Sequence, residues 1–531
     1  MSGRAATTDV IPGRLALSVG MPDRPAPPGW SWVNLDRVAT MATGHTPSRN
    51  HPEYWGGDVP WISVRDARPF HGGVIHTTAE FTNPLGIENS AAVILPKNTV
   101  CLSRTGSIGY SILLGREMAT SQGFVNWICG PALEPAFLRD LFVAENSFLH
   151  SISEGVAHTT IYFPKAKAFH ICLPPVNEQR RIVAKIEELF SDLDAGVAAL
   201  ERVRANLKRY RAAVLKAAVE GRLTEEWRKQ HPATEPAAKL LERILAERRA
   251  KWEQDQLRRF KEAGKEPPKG WKERYKSPVG HEETSLPELP ASWSWTSLSV
   301  VAWQVRDGPH HSPKYSPEGI PFITGGHVRP DGIDFTRAKF ISLALHKEFS
   351  RRCEPAVGDL LYTKGGTTGI AHIVRDERAF SVWVHVAVLK LADSINRRYL
   401  QHMLNSPLCY RQAQKYTHGV GNQDLGLTRM IKIAISLPPL AEQAEIVAEV
   451  DRRLSVADAA ETQVEHALQR AARLRQAILK RAFEGKLVPQ DPTDEPAAAL
   501  LERVATDGSN KRTPIGPQRR KVALAKDRST R

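Results

Sequence analysis

Two short glycine-rich segments hold the residues best spaced for chemistry. Residues 103–111 read SRTGSIGYS, and residues 363–372 read TKGGTTGIAH. Each sets a basic residue, Arg104 or Lys364, at the end of an apolar run, then a turn of small residues, then a second apolar run. Glycine permits tight turns and close approach of the backbone, so turn N–H groups beside a cation suit a phosphate. A plain strand–turn–strand hairpin has the same pattern. Recurrence at matched positions of a basic chain favours the anion reading.

Covalent chemistry finds no support. The phosphate cradle GxxxxGK[ST] is absent. The Asn-Pro of NPLG (83–86) lacks the second proline and the aromatic residue that an adenine methyltransferase needs. PDGIDF (330–335) has acids but no ExK at nuclease spacing. His45, His51, His71, His310 and His311 have no helical i,i+4 pairing with a carboxylate partner, so they read as surface or contact residues rather than metal ligands. Cys101 has no neighbouring histidine, and the cysteines at 101, 129, 172, 353 and 409 form no CxxC. A disulfide framework and a structural zinc are therefore not expected, and the compartment reads as reducing cytoplasm. No stretch approaches 18 apolar residues, and the N-terminus shows no secretory leader. The expectation is a protein without catalytic residues, bound metal or membrane contact.

The charge says what it touches. A formal net charge of +15 and a pI near 9.6 favour a polyanionic partner, nucleic acid first. Part of the excess lies on helix faces and in the tail after Asp507, which reads as disordered rather than as a specific reader.

The chain is duplicated. Residues 173–187 read LPPVNEQRRIVAKIE and residues 437–451 read LPPLAEQAEIVAEVD. The match runs without a gap to AAVLKAAVEGRL, ending at Leu223, and QAILKRAFEGKL, ending at Leu487. Both offsets are 264 (437 − 173 and 487 − 223), and 21 of the 51 aligned positions are identical. In the first copy Ile182, Ile186, Leu189, Leu193, Leu200, Val203, Leu207, Tyr210 and Val214 alternate at four and three, the a/d seam of a heptad repeat. Pro174 and Pro175 must lie outside the helix, Asn177 and Glu178 suit its first turn, and Gly221 its end. A helix of about 43 residues spans roughly 65 Å and needs a partner helix to be stable. The second copy, about 442–484, is that partner, with a weaker stripe of Val450, Leu454, Ala457, Val464, Leu468, Ala471 and Ile478 and with Arg453 and Glu461 in or near the seam.

The segments between the helices are mixed α/β. In the first, VPWISV (59–64), AAVILP (91–96), TVCLSR (99–104) and YSILLG (110–115) read as strands, and the stretch around 136–147 as helix. In the second, IPFITG (320–325), DLLYTK (359–364), IAHIVR (370–375) and VHVAVLKL (384–391) read as strands before a helical stretch from 397 to 415. The resulting plan is a flexible segment 1–28, a domain 29–172, a long helix 173–223 and a charged helical bridge and linker 224–285. A second domain 286–436, a second long helix 437–487, a short helix 488–506 and a basic disordered tail 507–531 complete it. EPAA…LLER recurs behind each long helix, where a short helix should pack back on the long one.

Taken together, the paired LPPxxEQ and LKxAxEGxL blocks and the domain openings GWSWVNL (29–35) and SWSWTSL (292–298) resemble the DNA-specificity subunit of type I restriction–modification enzymes. The similarity runs from about Trp30 to Val504. TPSRNHPEYWGGDVPWISVRD (46–66) looks like the family's usual opening of a target-recognition domain, whereas DGPHHSPKYSPEGIPFITGGHV (307–328) keeps only the Ile-Pro-Phe-Ile core. The resemblance implies two mixed α/β target-recognition domains held apart by two long antiparallel coiled-coil helices, in a tandem-duplicated, pseudo-symmetric architecture. It implies a split, asymmetric DNA site, two copies of a modification subunit that methylates adenine at N6, and restriction subunits. S-adenosylmethionine, ATP and Mg belong to those partners, and this chain carries no cofactor. The contacts expected in the first domain are Thr46, Ser48, Arg49, Arg65, Arg104, Ser107, His158 and Thr159. Those in the second are His310, His311, Lys314, Lys364, Thr367, His418, Asn422 and Gln423. Glu178, Gln179, Glu442 and Gln443, with the helices they begin, are expected to dock the partner. The other readings are a stand-alone specificity protein of a methylation or phage-exclusion system, and a coiled-coil scaffold that binds no DNA.

Overall fold

A strand ends at each Leu-Pro-Pro because proline can neither donate to a sheet ladder nor enter a helix interior. The computed structural model describes residues 15–20, 25–155, 159–419 and 423–506, and in it the strands Phe169–Leu173 and Ala434–Leu437 lead directly into helices Val176–Val219 and Leu440–Phe483. Each helix holds 44 residues. Gly221 and Gly485 take left-handed backbone (φ +75° and +69°), and the next amides, Arg222 and Lys486, bond back to Ala217 and Arg481 (3.0 and 2.9 Å). That closure satisfies carbonyls that the helix end leaves bare.

The chain forms two compact units, Met1–Leu200 with His466–Arg531, and Glu201–Glu465. The boundary falls inside both long helices. In the first unit Ala39–Thr43, Phe124–Cys129, Val100–Ser103, Ser111–Leu114 and Val74–Ile75 form a five-stranded sheet in that order. Helix Pro135–Ala144 packs on it, and Phe137 meets Phe483 of the second long helix edge-on at 5.1 Å. A second sheet, Glu80–Thr82, Trp55–Ile62 and Ala119–Thr120, flanks it. The Trp30 end of the domain closes on its other end, because Ser31–Asn34 pairs antiparallel with Phe169–Leu173.

The second unit repeats the scheme. Ala302–Asp307, Val386–Leu391, Leu360–Thr363 and Ala371–Ile373 form its main sheet, and Lys339–Ile341, Ile320–Ile323 and Ser381–Val382 the flanking one. Ser294–Ser297 pairs with Ala434–Leu437. The predicted helical stretch 397–415 is two helices, Arg397–Leu404 and Pro407–Tyr416. The charged bridge contains helix Ala237–Glu262, whose Ala237, Leu240 and Ile244 share a core with Val214 and Ala218 of the first long helix.

Within each unit the long-helix segments run in opposite directions. In the first, Asp194 pairs with Arg475, and Arg181 with Asp494 at 2.7 Å. In the second, Arg211 pairs with Asp458 and with Glu461 (2.6 Å for the latter), which gives the seam acid its partner. The expected stripe of the second helix is covered at every position: Val450, Ala457, Val464 and Ile478 are buried, and Leu454, Leu468 and Ala471 half-buried. That of the first is buried at Ile182, Ile186 and Val214 but exposed at Val203 (43%) and Tyr210 (42%).

Two expectations need correction. Segment 1–28 contains strand Leu15–Leu17, which adds in parallel to Phe169–Ile171 and buries Leu17. AAVILP is no strand: among its residues only Leu95 bridges, exchanging hydrogen bonds with Met118 (2.8 and 3.1 Å), and no second pair extends the ladder. The tail 507–531 lies outside the described residues.

Candidate nucleic-acid interface

Both main sheets end in a tight crossing. The first strands finish at Thr43 and Asp307, and the next residues are Gly44 and Gly308. A Cβ at Gly44 would lie 2.2 Å from the Ser121 carbonyl oxygen, and one at Gly308 would lie 1.8 Å from that of Val382. Only glycine lets the chain leave the sheet here. The loops so released carry Thr46, Ser48 and Arg49 in one domain and His310, His311 and Lys314 in the other.

In the first domain Thr46 donates to the Gln122 side chain at 2.5 Å, and Trp61 donates to the His45 carbonyl at 3.0 Å. Arg49 makes a forked pair with Glu80 (2.5 and 2.8 Å) and lies over the Trp55 and Trp61 rings, 3.9 and 5.1 Å from their centroids. The Arg49 bonds hold the Glu80 carboxyl below its usual range. Ser48 and Arg65 are exposed.

The glycine turn follows. The Arg104 amide donates to Gly123, Ile161 donates to the Arg104 carbonyl, and Gly106 donates to Thr159. Ser107 and Thr159 thereby stand together on the rim of a cleft of about 740 Å³ whose far wall includes Phe190 and Arg475. The Arg104 guanidinium lies over the Phe163 ring (4.2 Å), and one nitrogen reaches the Ile161 carbonyl at 3.4 Å. Its Nε is buried without a partner, and burial pushes the group below its usual pKa. Among the described residues no carboxylate lies within ion-pair distance of it.

The second domain repeats this backbone. Lys364 donates to His385, Leu425 donates to Lys364, and Gly366 donates to Gln423, which sets the exposed Thr367 beside Gln423. The side chains differ. Lys364 is 4% exposed, with Nζ 3.4 Å from Asp307 and 3.1 Å from Asp424. Asp307, also buried, accepts from Arg352 at 2.7 Å and has His310 Nε2 at 3.3 Å. His310 and His311 open onto a cleft of about 440 Å³ with Phe349 and Arg352. Lys314 and His418 are exposed.

Three sequence expectations fail on this geometry. Lys364 is no free cation, because two carboxylates enclose it. The turns offer few amides to an anion, since Gly106, Ser107, Gly109, Gly366 and Gly369 already donate to carbonyls of their own domain. Glu178, Gln179, Glu442 and Gln443 are at most 1% exposed and therefore present no docking surface. Glu178 accepts from the Trp30 indole (3.1 Å) and Glu442 from that of Trp293 (2.8 Å), while Gln179 and Gln443 accept from the amides of Glu134 and Asn396. They fasten each domain to the first turn of its long helix. His158 and Asn422 lie outside the described residues.

Sequence reading missed Gln122, Glu80, Asp307, Arg352 and Asp424. None of the five lies in the aligned blocks 173–223 and 437–487, so the repeat carried no signal for them. Among the described residues no group of three or more His, Cys, Asp or Glu is placed to hold a metal ion.

A family model described as the type I restriction modification DNA specificity domain matches residues 27–202 and 308–470. The chain is 24% identical over 507 residues to the type I restriction enzyme EcoKI specificity subunit of Escherichia coli K12, covering 91% of this chain and 96% of that one. It is 26% identical over 386 residues to the Escherichia coli EcoBI specificity subunit, covering 70% and 71%. In fold it is similar to a chain from a structure of "complex assembly and conformational transition of the type I R-M system", with a TM-score of 0.55, 21% identity, and coverage of 87% and 100%.

Proposed function

This chain belongs to the type I restriction–modification DNA specificity family, and we propose that its two domains read the two halves of a split, asymmetric DNA site. The observation that carries this reading is the repeated loop scaffold with unlike side chains. In both domains a glycine crossing, a glycine turn and a third loop share one backbone pattern, while Thr46, Ser107 and Thr159 in one answer to His310, Thr367 and Gln423 in the other. Side chains on loops that meet base edges confer sequence choice, and cations on the phosphates set register.

The long helices, on this reading, form an antiparallel coiled coil that fixes the distance between the half-sites, in a pseudo-symmetric frame. The same helices dock two modification subunits that methylate adenine at N6. Val203, Tyr210 and Val456, exposed on long-helix segments of the second unit, and Leu474 in the first, support docking along the helices rather than at Glu178 and Glu442. Restriction subunits join the full complex. S-adenosylmethionine, ATP and Mg are used by the partners, and this chain supplies the address without catalysing a step. Among the described residues no helix is long and apolar enough to cross a membrane, and the proposed setting is the cytoplasm.

Genome-wide mapping of N6-methyladenine, with and without this gene and with its methyltransferase partner present, tests the reading. A split motif that vanishes with the gene is expected. Adenine marks independent of the gene would overturn it.

A further inference from the structure

We infer that Lys364 is the positioning residue of the second recognition domain: held between Asp307 and Asp424, it fixes the base of the DNA-reading loop after Asp307 against the bridged pair His418 and Asp424. The inference rests on the DNA-reading role proposed above. Asp307 is the last residue before the loop that carries His310, His311 and Lys314, and Asp424 closes the loop that carries His418 and Gln423. A single ammonium therefore ties together the bases of both loops, and Arg352 adds a second tie from helix Leu343–Ser350's end, through both the side chain (2.7 Å) and the carbonyl (3.1 Å) of Asp307.

The fold does not need this network. The first domain makes the same backbone bonds with Thr43 and Thr160 in place of the two acids and with Arg104 over Phe163. Burying an ammonium against carboxylates carries a desolvation cost that a hydrophobic or hydroxyl set avoids. Such a network contributes one defined arrangement, since each charge is satisfied only when all members are in place. Base readout needs that, because hydrogen bonds to base edges weaken steeply when the donor is misplaced. In this domain Lys364 positions the loops and does not touch the DNA.

The test uses the full chain in complex with its methyltransferase partner, and reads the N6-methyladenine motif together with methylation of sites carrying one mismatch. Lys364→Met and Asp424→Asn should lower discrimination by about tenfold in the half-site assigned to residues 286–436. The other half-site should stay as in the wild type, and Lys364→Arg should restore discrimination. Unchanged discrimination in that half, or equal relaxation of both halves, would overturn the inference. Should Lys364→Met fail to accumulate, Asp424→Asn decides by the same criterion, since Asp424 lies on an exposed loop and leaves the Lys364–Asp307 pair intact. A wild-type complex that leaves no split mark would instead remove the DNA-reading role itself.

Discussion

At matched positions of the two recognition domains stands a cation, Arg104 or Lys364, on the same backbone scaffold. In the first domain it lies against an aromatic ring with one nitrogen unpartnered; in the second it lies between two carboxylates. Among the described residues Arg104 has no ion-pair partner, and on the proposed reading its charge goes to a phosphate, whereas the Lys364 charge is enclosed by carboxylates. A duplicated domain can thus keep the main-chain bonds that join its glycine turn to the neighbouring loops while the side chains take different tasks. The same contrast recurs where each domain meets its long helix. Glu442 accepts from Trp293, Thr224 and Arg228, whereas among the described residues Glu178 accepts only from Trp30 and keeps an unpartnered oxygen.

That second contrast gives the largest expected effect. Glu442→Gln leaves the Arg228 guanidinium without its buried counter-charge and should destabilise the second unit by about 3 kcal/mol. Glu178→Gln should be neutral or slightly stabilising at neutral pH, because burial raises the Glu178 pKa and the amide oxygen can still accept from Trp30. Hydrogen exchange followed unit by unit separates the two; equal losses would break the comparison.

Acid should also divide the units. His402 lies against Asp451 of the second long helix (2.9 Å), and burial, with Arg398 nearby, lowers its pKa to about 4. Its stabilising contribution is present above the unfolded value near pH 6.5 and is lost as pH falls toward 4, by at most about 3 kcal/mol. Asp140, at the matching place in the first unit, has its pKa raised by burial. It binds its proton more tightly in the fold, so acidification favours the first unit. Amide protection, corrected for the slower intrinsic exchange in acid, should therefore fall first in the second unit between pH 7 and pH 5, and His402→Gln should flatten that response.

A smaller effect concerns the phosphate contact. Arg104→Met should weaken DNA binding about tenfold at moderate salt and reduce the slope of log K against log salt by about one. Lys364→Met should leave the slope unchanged. Equal changes in slope would show that both cations face the DNA.

The helices, their glycine stops and most strands were legible because each is written locally: a 264-residue offset, a four–three stripe, an apolar run between turn signals. The roles of Lys364 and of the Glu-Gln pairs were not. A lysine at a strand end looks exposed until acids 57 and 60 positions away (364 − 307 and 424 − 364) are seen to enclose it. Likewise, a glutamate in a first helical turn looks solvated until an indole 148 residues away donates to it. The crossings at Gly44 and Gly308 carry no local signal beyond a lone glycine, since what forbids a side chain there is another strand's carbonyl.

The proposed function requires each domain to read its own half-site independently. The most direct measurement is to replace residues 29–172 with the corresponding domain of a relative such as the Escherichia coli K12 EcoKI specificity subunit, and to map N6-methyladenine again. One half of the motif should change to a new sequence while the other half and the spacing persist. A motif altered in both halves, or unchanged in both, would contradict it.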